Sequence, residues 1–199
     1  MTLTLCTWDS WNEKVWQQIK PIYEEAFIHG AKPEKIIRQM LDRKIAFLHA
    51  GYEGDELVAM ALTGLGRSDQ QQTMIIDYMA IRHDRRGRGE GRLFFNILRD
   101  WGIAHHRIDA IIIEAEAEDT QENRERIIFW EKCGFLPTSY VHHYIWIPET
   151  YRALVLPLQP DFQITDDGQS IFAQITDFHE RSFRKQKSNT LADSNKNKV

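Results

Sequence analysis

Residues 86–92 read Arg-Gly-Arg-Gly-Glu-Gly-Arg, three glycines interleaved with charged side chains. Between a strand and a helix, such a run leaves the backbone unobstructed, and the helix start offers amides that no helical carbonyl can reach. Together these make a phosphate cradle. The spacing narrows the kind. A Walker loop ends in Gly-Lys-Ser/Thr, which the sequence does not contain, and the dinucleotide fingerprint G-x-G-x-x-G also fails. Counted from Gly87 or Gly89, its third glycine falls on Arg92 or Phe94. Arg/Gly-rich nucleic-acid segments belong to disordered chain, without a flanking strand and helix.

A second group of residues suits proton transfer. Asp77 interrupts an apolar run over 74–81, and Glu114, Glu116 and Glu118 alternate with Ala115 and Ala117. On a strand that alternation places all three glutamates on one face. Like charges so arranged repel unless each is paired or solvated, so the face either lines a cleft or meets bulk water. Tyr140 and Tyr144, with His142 and His143 between them, are further candidates to hold a proton, against a plainer reading as sheet aromatics. Cys133 stands beside Gly134 without a base partner in the sequence and reads as packing.

The elements that position these groups follow from periodicity. Residues 11–27 place Trp11, Val15, Ile19, Ile22, Ala26 and Phe27 three or four apart, one face of a helix that Pro21 is predicted to weaken or kink. A second helix is expected over 33–44, with Pro33 in its first turn and Ile36, Ile37, Met40 and Leu41 inward. Runs 46–52 and 57–65, joined by Glu53-Gly54-Asp55-Glu56, read as a hairpin, which 74–81 extends into an antiparallel meander. These are the first strands the pattern predicts. Past the glycines come a helix over 93–103, a strand over 110–117 and a helix over 123–132, closed by Gly134 in the left-handed conformation. Runs 139–147 and 151–158 are β-rich. Beyond them Ile171, Phe172, Ile175, Phe178 and His179 mark an amphipathic helix, and 186–199 has the polar composition of a disordered tail. The predicted organisation is a main domain over 1–158 and an extension over 159–199.

The glycine-rich segment resembles the Q/R-x-x-G-x-G/A signature of the GNAT family of N-acetyltransferases, met by Arg86, Gly89 and Gly91. The strand ending Met79-Ala80-Ile81, the strand Ile111-Ile112-Ile113-Glu114 and the segment Ile128-Phe129-Trp130-Glu131-Lys132-Cys133-Gly134-Phe135 follow that family's order. The resemblance implies an α/β (α+β) fold, a twisted, mixed and largely antiparallel sheet flanked by helices, with acetyl-coenzyme A as co-substrate. Met79, Ala80 and Ile81 would pair with the pantetheine arm, and Arg86, Gly87, Arg88, Gly89, Glu90, Gly91 and Arg92 would surround the pyrophosphate. The family asparagine that precedes its tyrosine by seven positions matches Asn123. Glu114 matches a position used as base, with Asp77 and Glu116 as further candidates. The family's acid tyrosine is replaced by Trp130, whose indole donates a hydrogen bond but no proton. Either the thiolate leaves unprotonated or another donor, such as Tyr144, serves.

Composition bounds the rest. A chain of 199 residues, 42% hydrophobic, suits one globular unit with a short appendage. A net charge of −4 points away from nucleic acid as partner. Two distant cysteines, Cys6 and Cys133, propose neither a disulfide framework nor a metal site, and no run approaches a membrane span, so the expectation is a cytoplasmic protein. The expected activity is acetyl transfer to a primary amine of a small-molecule or peptide acceptor. A non-catalytic acyl-coenzyme A sensor on the same fold is the alternative. The apolar face of the extension is open to three uses: covering the acceptor site, pairing two copies as a homodimer, or contacting a partner.

Overall fold

The computed structural model describes residues 2–66, 71–145, 147–164 and 166–184. The polar tail expected over 186–199 lies outside them. Among the described residues are eight strands and five helices: β1 (Thr4–Trp8), α1 (Glu13–Ala26), α2 (Glu34–Asp42), β2 (Ala46–Glu53), β3 (Glu56–Leu65), β4 (Thr73–Ile81), α3 (Glu90–His106), β5 (Ala110–Glu116), α4 (Gln121–Lys132), β6 (Leu136–Pro137), β7 (His142–His143), β8 (Thr150–Pro157) and α5 (Gln169–Phe183). The strands form one mixed, mostly antiparallel sheet in the order β1-β2-β3-β4-β5-β8-β6, with β7 also on β8. This is the fold class expected. No helix among the described residues is long and apolar enough to cross a membrane.

Two local expectations are corrected. β1 precedes both helices and pairs with β2 along its whole length; its five residues were too few to show alternation. The first expected helix is α1, which contains Pro21; Val15, Trp16, Ile19, Ile22 and Tyr23 bury one face and Asn12 caps the start, accepting from Val15 N at 3.2 Å. The strand expected over 139–147 shrinks to two residues, since Ser139 and Tyr140 donate their amides to Asp167 O instead of to a ladder.

Helices α1, α2 and α5 cover one face of the sheet. Ile171, Phe172, Ile175 and Phe178 of α5 share a single apolar cluster with Trp16, Ile19, Met40, Leu48 and Ile112. Helices α3 and α4 cover the other, through Phe94, Phe95, Leu98 and Trp130.

Two features of β4 prepare the site. The β3–β4 register runs Leu62 opposite Tyr78 and then Thr63 opposite Ile76, so Asp77 is an extra, bulged residue. The bulge inverts parity: Ile75 and then Tyr78 and Ala80 face one cluster, while Met74 and Ile76 face the other. Moreover, β4 pairs with β5 in parallel only from Thr73 to Ile75, after which β5 continues against β8. The sheet splays open from Ile76 onward.

Candidate functional site

The splay opens a cleft of about 1620 Å³ between β4 and β5. One end is floored by the glycine-rich turn. Gly87 and Gly89 hold φ of +77° and +82°, a left-handed backbone that other residues adopt at a cost, and a Cβ built on either would meet nothing within 4 Å. Gly89 is the cap of α3, whose ladder begins with Leu93 N donating to Gly89 O at 3.2 Å. The amides of Glu90, Gly91 and Arg92 therefore precede the ladder, at the positive end of a helix of 17 residues. A carboxylate within a phosphate loop is explained by its partner: buried Glu90 binds Arg85 at 2.9 Å, which also pairs with Glu53 and Glu56. Arg86 donates Nε to Ile81 O at 2.9 Å, tying the loop to the end of β4. Arg86, Arg92, Arg126 and Lys132 line the cleft, and Arg88 is exposed on the turn.

Along the wall, Met79, Ala80 and Ile81 pair with Ala61, Met60 and Ala59 on one side. Their other edge faces the cleft, where β5 has diverged. A strand edge so presented can pair with an extended ligand. The open backbone turn, the pre-ladder amides, the basic rim and this edge fit the pyrophosphate and pantetheine of coenzyme A.

Five segments of the chain converge at the far end. The bulge aims Asp77 inward, where both its oxygens take Lys32 Nζ, at 2.7 and 2.9 Å. Lys32 is fixed by its own backbone, with its amide donating to Tyr78 OH at 3.0 Å and its carbonyl accepting from Tyr23 OH at 3.1 Å. Burial alone would raise the Asp77 carboxyl, whose side chain is 3% exposed. Lys32 and His179 outweigh burial and hold it below its ordinary value. Glu114 of β5 accepts from Tyr144 OH at 2.9 Å. His179 of α5 places Nε2 3.4 Å from Asp77 and 3.5 Å from Glu114. Burial, and then the Glu114 charge, raise the Tyr144 phenol, which stays protonated at neutral pH.

The three alternating glutamates part company. Glu114 enters the cluster, Glu116 sits 3.7 Å from Arg126, and Glu118 accepts from Thr150 Oγ1 at 2.7 Å, so each carries its own partner. Asn123 does not stand among the cleft-lining residues. Its amide is capped by Thr120, its Nδ2 donates to Glu118 O at 3.1 Å, and it serves the first turn of α4. Trp130 packs edge-on against Phe95 and Phe135 while Phe129 faces the cleft. Cys133 lines the cleft, but burial raises its thiol and disfavours the thiolate. Sequence reasoning missed Lys32 and left His179 without a chemical role. Lys32 carried no signal, and His179 offered one: a titratable ring next to the apolar stripe of a helix.

A coenzyme-sized cleft in a splayed mixed sheet, floored by a glycine-rich helix start, is the architecture of an acyl-group transferase fold. The sequence matches the acetyltransferase (GNAT) family over residues 12–135, more than half of the chain, and the protein belongs to that family. No curated protein matches the sequence. Among solved structures, an N-acetyltransferase from Staphylococcus aureus Mu50 is similar at 12% identity and TM-score 0.62, covering 79% of this chain and 99% of that one. The ribosomal-protein-S18-alanine N-acetyltransferase from Escherichia coli is similar at 13% identity and TM-score 0.58, covering 82% and 100%. A chain of the NatC complex bound to Gag peptide and CoA is similar at 17% identity and TM-score 0.61, covering 80% and 100%. At these identities the likeness concerns the fold.

Proposed function

We propose that this protein transfers an acetyl group from acetyl-coenzyme A to a primary amine of a small-molecule or peptide acceptor. One observation carries the reading: a single cleft joins the glycine-rich helix start to the carboxylates Glu114 and Asp77. Structurally similar proteins include a ribosomal-protein-S18-alanine N-acetyltransferase, a spermidine N-acetyltransferase and a NatC complex bound to Gag peptide and CoA, which supports an amine acceptor.

Bound there, the coenzyme supplies a thioester carbonyl and a thiolate leaving group. The chain does the rest. The amides of Glu90, Gly91 and Arg92 and the rim of Arg86, Arg88, Arg92 and Lys132 hold the phosphates, while the free edge of Met79, Ala80 and Ile81 aligns the arm. Glu114 removes the proton from the acceptor ammonium, and Tyr144 orients it by donating to Oε2. Asp77, with both oxygens on Lys32, is a fixed charge and not the base. Trp130, enclosed by Phe95 and Phe135, gives the departing thiol no proton. The acidic floor favours a cationic acceptor. Two unbridged cysteines suit work in the cytoplasm.

Free-thiol release from acetyl-coenzyme A, measured against polyamines, amino acids, aminoglycosides and peptides, tests the reading. Turnover on at least one amine is expected, and Glu114→Gln should lower kcat/KM by about 100-fold or more. Coenzyme binding without turnover on any acceptor would establish the sensor instead.

A further inference from the structure

Helix α5 carries into the cleft a histidine to which acetyl transfer, as described, gives no task. We infer that His179 is the positioning residue behind Glu114, holding that carboxylate in place and receiving, through Tyr144, the proton it takes from the acceptor. The inference rests on the N-acetyltransferase reading above.

Packing does not account for His179. Ile171, Phe172, Ile175 and Phe178 already form the buried face of α5, whereas the His179 side chain is 20% exposed and lines the cleft. Its ring is stacked on Tyr144, with planes 16° apart, and its Nδ1 is 3.5 Å from the Tyr144 oxygen. Nε2 lies between two oxygens that can only accept, Glu114 Oε1 and Asp77 Oδ1, so the ring hydrogen belongs to Nε2 and ties Glu114 to its place. Nδ1 is then left with its lone pair toward the Tyr144 hydroxyl, which in turn donates to Glu114 Oε2.

Charge points the same way. Lys32 is one cation against two carboxylates, Asp77 and Glu114, so a proton arriving on His179 brings the cluster to balance. Asp77 with Lys32 behind it, Glu114 and Tyr144 surround the ring, and His142, packed on Tyr144, and Glu180 share the cleft lining. The step conserves atoms and electrons. The ammonium gives a proton to the Glu114 carboxylate and becomes a neutral amine, the carboxyl passes that proton to the Tyr144 oxygen as the phenol passes its own to Nδ1, and the imidazolium releases a proton to solvent in the cleft.

Wild type, His179→Gln and His179→Ala should be compared for thiol release, thermal melting and acetyl-coenzyme A binding. We expect His179→Gln to lose about 100-fold in kcat with coenzyme binding and melting temperature retained, and the pH profile of kcat/KM to lose one ionisation on its acid side. His142→Gln should leave that ionisation in place. Added imidazole should restore turnover to His179→Ala, and more basic imidazoles should restore more. Variants within about threefold of wild type and with an unchanged profile overturn the inference, as does a loss that tracks a lowered melting temperature and that no imidazole repairs. A wild type that turns over no amine overturns instead the acetyltransferase reading beneath it.

Discussion

At the scale of single residues, the phosphate loop depends on what its side chains are not. Gly89 combines a left-handed backbone with an open approach, so bulk and charge can be tested separately. Asparagine tolerates that conformation and adds no charge, and Gly89→Asn should weaken coenzyme binding by less than about tenfold, for ~1 kcal/mol of strain. Gly89→Asp has nearly the same shape but sets a carboxylate against the phosphates, and affinity should fall by on the order of 100-fold or more. Calorimetric titration with coenzyme A measures both. Equal losses in the two variants would show that geometry alone matters and would remove the phosphates from this turn. The loop was legible in sequence because its chemistry lies in seven consecutive residues. The proton-transfer cluster was legible only in part: Asp77, Glu114 and Tyr144 could be named as acid-base types, but their partners Lys32 and His179 come from positions 45 and 65 residues from Asp77 and Glu114, beyond any local pattern.

At the scale of elements, one glycine in β3 decides how α5 sits. A Cβ on Gly64 would come 2.1 Å from the Phe178 ring, and Phe178 immediately precedes His179. The strand omits a side chain so that the helix can approach. Gly64→Ala should therefore push α5 outward, lowering stability by about 1–3 kcal/mol and lowering turnover more than that loss of folded protein explains, because His179 leaves Glu114. Urea unfolding and thiol release on the same preparation provide the check. Unchanged turnover per folded molecule would mean that α5 does not place His179. Periodicity announced this helix and its apolar stripe. It could not announce that the stripe is buried against β2, β3 and β5, because amphipathicity shows that a face will be covered and not by what.

At the scale of the whole molecule, the buried Lys32–Asp77 pair links the connection between α1 and α2 to the central strand. The Asp77 carboxyl lies below its ordinary value in the folded protein. Its contribution to stability is thus complete above about pH 4, where the unfolded carboxyl is ionised, and is lost as pH falls through the depressed folded value. Lys32→Met removes the cation and leaves a buried charge, a loss of about 3–5 kcal/mol at pH 7. That deficit should shrink toward pH 4 as Asp77 takes a proton in the variant. Urea midpoints at the two pH values would show it, and an equal deficit at both would mean that charge is not what the pair contributes.

By itself the sequence determined the order and type of most elements, the glycine-rich helix start, and through them the family and the donor half of the proposed chemistry. Each of these is written in neighbouring residues, as a period of two or of three to four or as a short spaced motif. The tertiary structure alone decided the bulge at Asp77, the splay after Ile75 and the meeting of Lys32, Asp77, Glu114, Tyr144 and His179. Those depend on strand register and on helix docking, which are settled by packing between segments far apart in the chain and leave no periodic trace within any one of them.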